Sequence, residues 1–417
     1  MKLVMERGEV KGKIEAPSSK SFTHRALICA ALANGKSEIL KPLSCEDTEA
    51  TRKAIEKLGC AIQVAGNLWV IEGGQLHEPK SEIFCRESGT TLRFLTAVCS
   101  LIDGETRLTV SSSLSKRPIR PLIDAVNELG ASCTCNGEFP PVIAKGVMKG
   151  GHATLPGSIS SQFVSALLLA APMVEREVEV EVVGNLESFP YVLMTMETQK
   201  AFGVEISVEG RRFLTRPECY KRTTLKIEGD WSSAAFILAL GLMAGETEVV
   251  GLNLNSPQAD KEIIALIQKM GGKVFVRNSS IIVQESDLNA IRADVSNCPD
   301  LFPILAALCA TARGRSEIYG IRRLRFKESD RVAAMAEGLG KMGAKVEVIG
   351  DSFFVEGSEL HPAEIDPKGD HRIAMAFGVL GAKIGGVAIK DAECVGKSWP
   401  SFWDCLANLG VRLREGA

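Results

Sequence analysis

The sequence predicts an α/β fold of two similar domains, each made of three repeats of about 70 residues. Three observations support this prediction. The chain has 417 residues, which is more than one hydrophobic core usually contains. A helix that ends at glycine and is followed by a short strand occurs six times. A second helix, apolar on all sides, recurs in the same register.

The glycines that end the first kind of helix recur every 67 to 73 residues. They are Gly59, Gly130, Gly203, Gly271, Gly343 and Gly410. Each follows an amphipathic segment such as 121–129, and glycine readily adopts the left-handed conformation that ends a helix. Alternating apolar and polar residues follow, as in Met342-Gly-Ala-Lys-Val-Glu-Val348, and this alternation predicts a half-buried strand.

The second helix is rich in alanine, and its apolar character on all sides predicts that its six copies are buried. These inner helices are expected at Ser21–Asn34, Gly89–Asp103, Ser160–Met173, Ser232–Ala244, Asp300–Ala312 and His371–Ile384. The middle of the repeat series falls near Glu228-Gly229-Asp230, which predicts a domain boundary there. The first strand, up to about Ser18, could belong to either domain.

Composition and charge exclude several classes of protein. Forty-nine basic and 51 acidic residues give a net charge of −2, which argues against a nucleic-acid-binding protein. The N-terminus lacks the apolar core of a signal peptide. The longest apolar run, 163–174, is too short to span a bilayer. Any recognition of anions must therefore be local.

The twelve cysteines predict a reducing compartment and no metal centre. None forms a Cys-x-x-Cys pair, and Cys29, Cys99 and Cys309 lie within apolar helical patterns. Cys133 and Cys135 are spaced as residues on one face of a strand, which is a more common arrangement than a metal or redox pair. We expect neither a metal ion nor another cofactor.

The predicted inner helices begin with polar residues. Examples are Ser18-Ser-Lys-Ser-Phe-Thr-His-Arg25, Arg86-Glu-Ser-Gly-Thr-Thr-Leu-Arg93 and Gly157-Ser-Ile-Ser-Ser-Gln162. Ser, Asp and Gly are ordinary helix caps, so one such start carries little information. Six of them in register, with Lys and Arg nearby, indicate an anion-binding site, because free N–H groups and the helix dipole favour negative charge there.

Basic side chains lie at the edges of these predicted elements. They are Lys20, Arg25, Arg93, Arg117, Lys327, Arg331, Arg372 and Lys397. Arginine can bind a carboxylate or phosphate through paired hydrogen bonds, whereas lysine acts as a point charge. Taken singly, each could be a solvated surface charge.

Two carboxylates, Asp300 and Glu328, are candidates for proton transfer. Asp300 opens an apolar helix and could instead be its cap. Asp330 is the better candidate for a helix cap or for an ion pair with Arg331.

These residues belong to nine motifs that occur in one order and at characteristic separations. The motifs are Pro17-Ser-Ser-Lys-Ser-Phe-Thr-His-Arg25, Ser88-Gly-Thr-Thr-Leu-Arg93, Lys116-Arg-Pro-Ile119, Gly157-Ser-Ile-Ser-Ser-Gln-Phe163, Ser188-Phe-Pro-Tyr191, Pro299-Asp300, Lys327-Glu-Ser-Asp-Arg331, Asp370-His-Arg372 and Gly396-Lys-Ser-Trp-Pro400. Through them the chain resembles the 5-enolpyruvylshikimate-3-phosphate synthases from its N-terminus to Leu409. Several motifs are weak singly, but the whole series is specific.

The resemblance implies a fold of the enolpyruvyl transferase type, an inside-out α/β barrel in which each domain has three βαβαββ units. The implied domains are a discontinuous one, residues 1–18 with 228–417, and an inserted one, residues 19–227. The active site would lie in the cleft between them.

The implied reaction transfers the enolpyruvyl group of phosphoenolpyruvate to the 5-hydroxyl of shikimate 3-phosphate and releases phosphate. It belongs to the shikimate pathway of aromatic amino acid biosynthesis. Both substrates are small molecules, and no nucleic acid, membrane or cofactor takes part. We expect a cytoplasmic monomer.

The resemblance also implies roles for individual residues. For shikimate 3-phosphate, the implied contacts are Lys20, Ser21, Arg25, Ser160, Ser161, Gln162, Ser188, Tyr191, Asp300 and Lys327. For phosphoenolpyruvate, they are Lys20, Gly89, Arg117, Gln162, Arg331, Arg372 and Lys397. The three serines would bind the phosphate group, and Arg25 the carboxylate, of shikimate 3-phosphate. Asp300 would take the proton of the 5-hydroxyl, and Glu328, with Lys20, would protonate the CH₂ carbon of phosphoenolpyruvate.

Two residues depart from the family pattern. Glu87 stands where many members have Asn, and a carboxylate there should repel phosphoenolpyruvate unless it is paired, for example with Arg86 or Arg93. Arg323 stands where many members have an Asn that contacts the shikimate hydroxyls. Neither residue is therefore counted among the predicted site residues.

The first alternative is the related enzyme that transfers the enolpyruvyl group to UDP-N-acetylglucosamine and shares the six-unit fold. It usually has Lys-Asn where this chain has Lys20-Ser21. It also usually has a reactive cysteine in a loop, whereas residues 111–117 here contain none.

The second alternative is a non-catalytic anion-binding module, or a relative that processes RNA 3′-phosphates. The balanced charge, with only three Tyr and four Trp, argues against contact with RNA. The presence of Lys20, Asp300, Glu328 and Lys397 together argues against an inactive protein.

Overall fold

The structure is a computed structural model that describes residues 1–277 and 280–416. The chain divides into two compact units. The split unit consists of Met1–Pro17 and Gly229–Ala417, and the inserted unit of Ser18–Glu228. The boundaries predicted from the sequence, after residues 18 and 227, lie next to these positions.

The described residues form twelve α-helices that alternate between inner and outer positions. In the inserted unit they are α1 (Lys20–Leu32), α2 (Glu46–Lys57), α3 (Gly89–Cys99), α4 (Arg120–Glu128), α5 (Ser161–Ala170) and α6 (Phe189–Ala201). In the split unit they are α7 (Trp231–Ala244), α8 (Ile263–Lys269), α9 (Phe302–Thr311), α10 (Arg331–Lys341), α11 (His371–Ile384) and α12 (Phe402–Asn408). The odd-numbered helices are the six inner helices that the sequence predicts.

The inner helices are enclosed by the rest of their own unit. Every residue of α7 from Trp231 to Met243 is buried, as is every residue of α11 from His371 to Ala382. A helix that is apolar on all sides can be surrounded completely without burying unpaired polar groups. Each unit has its own hydrophobic core, and the inner helices run through it.

The six predicted cap glycines follow the outer helices and have φ values between 80° and 111°. This is the left-handed region that ends a helix, so the prediction is confirmed. The inner helix near residue 300 begins later than predicted. A short 3-10 helix, Pro299–Leu301, precedes α9, and Leu301 rather than Asp300 occupies the cap position. The alternative role of Asp300 as the cap of this helix is therefore wrong.

The strands also follow the repeat. In chain order they are β1 (Leu3–Glu6), β2 (Val10–Glu15), β3 (Gly35–Leu40), β4 (Ala61–Ala65), β5 (Leu68–Gly73), β6 (Ile83–Phe84), β7 (Glu105–Thr109), β8 (Thr134–Asn136), β9 (Phe139–Lys145), β10 (Gly151–Pro156), β11 (Val178–Val183), β12 (Ser207–Glu209), β13 (Arg212–Thr215), β14 (Thr224–Lys226), β15 (Gly245–Val250), β16 (Lys273–Arg277), β17 (Ser280–Gln284), β18 (Arg292–Asp294), β19 (Arg315–Tyr319), β20 (Lys345–Ile349), β21 (Ser352–Glu356), β22 (Glu364–Ile365), β23 (Val387–Ile389) and β24 (Arg412–Glu415).

The described strands form six sheets of four strands with one shared pattern. The inserted unit contains β14-β3-β5-β4, β6-β7-β9-β8 and β10-β11-β13-β12. The split unit contains β2-β15-β17-β16, β18-β19-β21-β20 and β22-β23-β1-β24. In each sheet the first two strands are parallel and the other neighbours are antiparallel. Both N-terminal strands belong to the split unit, which answers the question that the sequence left open.

All twelve cysteines are free thiols, and nine of them are buried. Burial raises the pKa of Cys45 to about 11 and that of Cys60 to about 12. These thiols therefore act as small apolar groups. Among the described residues, no helix combines the length and the apolar character that crossing a membrane would require.

Candidate active site

In both units, polar side chains cap the inner helices at the ends where the sequence predicts anion binding. Ser19, Ser88 and Ser160 cap α1, α3 and α5, and Asp230 and Asp370 cap α7 and α11. Each accepts a hydrogen bond from a backbone N–H of the first turn. These residues therefore act as ordinary helix caps, and the helix dipole still favours an anion beside them.

Lys20, at the start of α1, forms a partly buried ion pair. Its Nζ lies 2.8 Å from Oδ2 of Asp47 in α2, and both side chains are about one-sixth exposed or less. The neighbouring His24 is buried, and its Nδ1 lies 2.7 Å from Oγ1 of Thr51. Burial, and then the charges of Lys20 and Arg25, hold the pKa of His24 well below its usual range. His24 is therefore a neutral structural group beside a charged lysine.

Arg25 is fully buried, and its guanidinium lies within a network of hydrogen bonds. Nε donates to Thr195 Oγ1 at 2.8 Å, Nη1 to the carbonyl of Ser21 at 2.9 Å, and Nη2 to the carbonyl of Tyr191 at 2.8 Å. The guanidinium also lies over the ring of Phe94. Burial lowers the pKa of Arg25 to about 10. The contacts with Ser21 and Tyr191 bring three predicted site residues together.

Gln162 is held by two residues of α3. Its Oε1 accepts a short hydrogen bond from Nη1 of Arg93, and its Nε2 donates to Oγ1 of Thr90 at 3.0 Å. The guanidinium of Arg93 lies 5.5 Å from the ring centre of Phe163, the residue after Gln162. These contacts fix the amide orientation of Gln162, which the resemblance predicts to touch both substrates.

Gly89 and Arg117 lie close to each other in space. A Cβ atom at Gly89 would lie 3.0 Å from Nη1 of Arg93, which is a tight contact, and 3.4 Å from Nη1 of Arg117, which is van der Waals contact. Arg117 is buried at the end of the short 3-10 helix Leu114–Lys116. Glycine therefore allows two cations to approach the start of α3 closely.

Glu87, the unusual residue beside this site, contacts the segment that leads to Arg117. Its carboxylate accepts hydrogen bonds from the hydroxyl and, at 3.4 Å, from the backbone N–H of Ser113. The expected partners were Arg86 or Arg93, whereas the hydrogen bonds that the structure describes for Glu87 run to Ser113. The hydrogen bonds between Glu87 and Ser113 thus hold residues 111–117 against the segment that precedes α3.

The predicted phosphate-binding serines lie on two neighbouring segments. The N–H of Glu187 donates to the carbonyl of Gly157 at 3.3 Å, which places the segment before Ser188 beside the segment before Ser160 and Ser161. Ser188 has φ of 57°, a left-handed value that non-glycine residues adopt rarely. Such strain is typical of functional positions, and here it directs the start of α6.

In the split unit, Arg331 joins three carboxylates. Its guanidinium, of which 1% is exposed, lies 2.8 Å from Asp300, 2.7 Å from Glu328 and 2.8 Å from Asp370. Three predicted site residues therefore form one buried cluster with Asp370, which also caps α11. Asp330 caps α10 through the N–H of Ala333 at 2.9 Å, so that prediction is confirmed, and the ion-pair partners of Arg331 are the other acids.

Asp300 is shared by two arginines. Its second oxygen lies 3.0 Å from Nη2 of Arg372. Burial alone would raise the pKa of Asp300, but Arg372, Lys327 and Arg331 outweigh it and hold that pKa well below its usual range. In this arrangement Asp300 is ionised and strongly paired, so it is a poor base until an anion competes for the arginines.

Lys327 lies in the same cluster and has a lowered pKa. The pKa of Lys327 is lowered to about 8: burial is the largest cause, Arg331 and Arg323 also lower it, and Asp300 and Glu328 oppose them. Arg323, which is not among the predicted site residues, is therefore close enough to affect this site. Its guanidinium also donates to the carbonyl of Ser296 at 2.8 Å.

Lys397 lies beside the start of α11. Its Nζ donates to the carbonyl of Gly369 at 2.8 Å, next to the cap residue Asp370. Arg372, in the first turn of α11, and Lys397 thus lie at the same helix end. Two cations at a helix N-terminus make a strongly anion-attracting position.

Sequence reasoning missed several partners of the predicted residues: Asp47, Asp370, Thr90 and Thr195. Asp370 was visible as part of a motif, but its role as a carboxylate shared with Arg331 depends on the packing of α10 against α11. Asp47 lies 27 positions after Lys20, and only the contact of α1 with α2 reveals the pair.

One group of described residues, His152, Glu179 and Glu181, has three possible metal-ligand atoms within 4.8 Å of one another. The group lies on the exposed, paired strands β10 and β11, and Arg212 also contacts Glu179 at 3.6 Å. An ion-pair network on a sheet surface accounts for these contacts without a metal, and none of the three is a predicted site residue.

The six repeated sheets, the buried inner helices and the cation-rich helix starts define an enolpyruvyl transferase. The sequence matches the family model of EPSP synthase (3-phosphoshikimate 1-carboxyvinyltransferase) over residues 4–406. The chain belongs to the EPSP synthase family. It is a transferase of the shikimate pathway that moves the enolpyruvyl group of phosphoenolpyruvate to shikimate 3-phosphate.

Individual relatives agree with this family. The chain is 41% identical to a 3-phosphoshikimate 1-carboxyvinyltransferase of Dehalococcoides mccartyi, over 99% of both proteins. It is 40% identical to one of Methanospirillum hungatei, over 96% of both. Among solved structures, an EPSP synthase from Acinetobacter baumannii superposes with a TM-score of 0.84 at 26% identity and full coverage of both chains.

Proposed function

We propose that the two clusters of predicted site residues, one in each unit, act on the same pair of substrates. The observation that carries this proposal is the buried cluster in the split unit, where Arg331 joins Asp300, Glu328 and Asp370 beside Arg372. It combines two carboxylates suited to proton transfer with cations suited to phosphoenolpyruvate. The predicted cleft between the domains remains part of this proposal.

Shikimate 3-phosphate binds to the residues of the inserted unit and to two residues of the split unit. Ser160, Ser161 and Ser188 receive its phosphate, and Arg25, oriented by Thr195, receives its carboxylate. The neighbouring segments of the serines and the buried guanidinium support these roles. Asp300 and Lys327 receive the ring hydroxyls.

Phosphoenolpyruvate binds to cations of both units, Lys20, Arg117, Arg331, Arg372 and Lys397, and to Gly89 and Gln162. When its negative groups draw Arg331 and Arg372 away from Asp300, the pKa of that carboxyl rises from its depressed value. Substrate binding itself therefore converts Asp300 from a paired anion into a usable base.

The reaction proceeds by addition and then elimination. Asp300 takes the proton of the 5-hydroxyl of shikimate 3-phosphate, and the hydroxyl oxygen bonds to the central carbon of phosphoenolpyruvate. Glu328, with Lys20, delivers a proton to the CH₂ carbon. In the elimination, Glu328, with Lys20, takes a proton back from the resulting methyl group. The carbon–oxygen bond to phosphate breaks at the same time, so the double bond re-forms and phosphate leaves. The fixed cations stabilise the charge on the departing phosphate.

Phosphate release tests this proposal directly. The purified chain is incubated with phosphoenolpyruvate and either shikimate 3-phosphate or UDP-N-acetylglucosamine, and phosphate is followed by a coupled assay. We expect release with shikimate 3-phosphate only. Release with the nucleotide sugar alone would contradict the proposal, as would no release with either acceptor from correctly folded protein.

A second test separates substrate binding from chemistry. Arg117→Ala removes a buried cation beside Gly89, and hydrogen bonds to charged groups contribute about 1.5–3 kcal/mol. We expect the KM and Kd for phosphoenolpyruvate to rise by roughly 10- to 100-fold, with a smaller change in kcat. Arg120→Ala, three residues away on α4, is the matched control. Unchanged affinity in calorimetry would remove Arg117 from the site.

We propose further that the chain acts as a monomer in the cytoplasm. The free, mostly buried thiols suit a reducing compartment. Light scattering coupled to size-exclusion chromatography should give the mass of one 44.8 kDa chain. The mass of a dimer would contradict the monomer.

A further inference from the structure

Asp260 is a buried carboxyl that none of the predicted roles uses. It lies in the 3-10 helix Ala259–Glu262 of the split unit, and 2% of the residue is exposed. Its Oδ2 accepts a hydrogen bond from the hydroxyl of Ser232, and its Oδ1 is buried without a hydrogen-bond partner among the described residues. An ionised carboxylate is costly in such a place, whereas a protonated carboxyl is much less so.

Hydrogen bonds hold the segment that contains Asp260 against the start of α7. Gln258 accepts a hydrogen bond from the N–H of Trp231 at 3.0 Å and donates to the carbonyl of Gly229 at 2.8 Å. Lys261 donates to the carbonyl of Ser256 at 2.7 Å. These contacts hold the segment, and with it Asp260, inside the protein.

Two of the charged groups near Asp260, Asp300 and Arg372, are predicted site residues. The pKa of Asp260 is raised to about 7, mainly by burial and next by the charge of Asp300 on the 3-10 helix Pro299–Leu301. Arg372 from α11 and the hydroxyl of Ser232 lower that pKa, while Asp230 at the start of α7 raises it. Arg372 is thus the cation that favours the ionised form of Asp260, and it also pairs with Asp300 at 3.0 Å.

We propose that Asp260 is a further functional residue, which takes up a proton when phosphoenolpyruvate binds beside Arg372. The affinity for phosphoenolpyruvate then falls as the pH rises above neutrality. This inference rests on the proposed role of Arg372 in binding phosphoenolpyruvate. Asp260 acts through the charge of the site and does not itself touch the substrate.

The sign follows from electrostatics. A bound anion next to Arg372 offsets the positive charge that favours ionised Asp260, so the pKa of Asp260 is higher in the complex than in the free protein. The protonated protein therefore binds the anion more tightly than the ionised protein. For one linked proton, the dissociation constant rises by at most about tenfold per pH unit, between the two pKa values.

Calorimetry measures this proton directly. Phosphoenolpyruvate is titrated into the protein near pH 7 in buffers of different ionisation enthalpy, and into Asp260→Asn under the same conditions. The ligand's own ionisation is the same in both titrations, so their difference belongs to Asp260. We expect the unmodified protein to take up more protons than the variant. We also expect the variant's affinity to fall less between pH 6.5 and pH 8.5.

Two further variants make the test specific. Asp287→Asn removes an exposed carboxyl of the same unit, of which 82% is exposed, and should bind like the unmodified protein. Ser232→Ala removes the hydroxyl that favours ionised Asp260, so the fall in affinity should move to higher pH. A purely structural role of Asp260 would not produce that shift.

The outcomes are distinct. Equal proton uptake by the protein and by Asp260→Asn, or no shift in Ser232→Ala, overturns the inference. Thermal unfolding of each variant confirms that it is folded, and if Asp260→Asn does not fold, the shift in Ser232→Ala decides. Arg372→Ala tests the underlying proposal separately, because unchanged phosphoenolpyruvate affinity in that variant would show that the role of Arg372 is wrong.

Discussion

Replacing Arg331 with alanine is expected to destabilise the split unit by about 3–5 kcal/mol, the usual cost of removing one partner from a buried ion pair. The substitution leaves Asp300, Glu328 and Asp370 without their shared cation in a buried place. Urea unfolding followed by tryptophan fluorescence measures the loss. Three of the four tryptophans, Trp231, Trp399 and Trp403, belong to the split unit, so the signal reports mainly on it.

The matched control for this prediction is an exposed ion pair. Lys341→Ala breaks a pair with Glu337 at 2.6 Å on the same helix, where both side chains are about half exposed. Exposed pairs of this kind contribute about 0.3–0.5 kcal/mol. Unpaired buried carboxylates are costly only while they are ionised. The decrease in the free energy of unfolding in Arg331→Ala should therefore be smaller near pH 5 than near pH 8. Equal losses in the two variants would contradict the prediction.

Turnover should fall by at least ~100-fold in Asp300→Ala, which is the low end for the loss of a general base. Binding of phosphoenolpyruvate should not weaken, because Arg331 and Arg372 lose a competing carboxylate. The phosphate-release assay gives kcat, and calorimetry gives the affinities for both substrates. The combination of slow turnover and retained binding separates a role in chemistry from a general loss of structure.

Asp287→Ala provides the comparison for this variant, since it removes an exposed carboxyl from the same unit. Turnover of Asp300→Ala close to that of the control would exclude Asp300 as the base. Weakened binding of phosphoenolpyruvate together with unfolding at lower temperature would instead show that the cluster around Arg331 has lost its structure.

Much of the fold was predictable because it depends on local patterns that repeat. The apolar inner helices, the cap glycines and the alternating strands each follow from side-chain period and backbone preference, and the structure shows all of them. The start of α9 was predicted too early, because Pro299 and Asp300 form a separate 3-10 turn before the helix. The assignment of β1 and β2 to the split unit depends on strand pairing between distant residues.

Some residues of the candidate site were likewise predictable from the sequence, and others were revealed only by the structure. Lys20 and Arg372 could be chosen because they lie at the starts of apolar inner helices, and Arg331 because it ends the motif Lys327-Glu-Ser-Asp-Arg331. The ion-pair partners of these residues could not be chosen from the sequence. Asp47 and Asp370 are ordinary acids at helix starts in the sequence, and their pairing depends on the packing of α1 against α2 and of α10 against α11. The low pKa of Asp300 likewise depends on two arginines that lie 31 and 72 positions later in the chain.

The sequence by itself determined the repeat, the inner helices, the family and the identities of the charged side chains. The tertiary structure decided which acids pair with which cations, that Glu87 is fastened to Ser113, and that Asp260 is a buried acid beside the site. The reason is physical. Periodicity and turn preference act over a few residues, whereas desolvation and Coulomb interaction depend on distances in space between residues far apart in the chain.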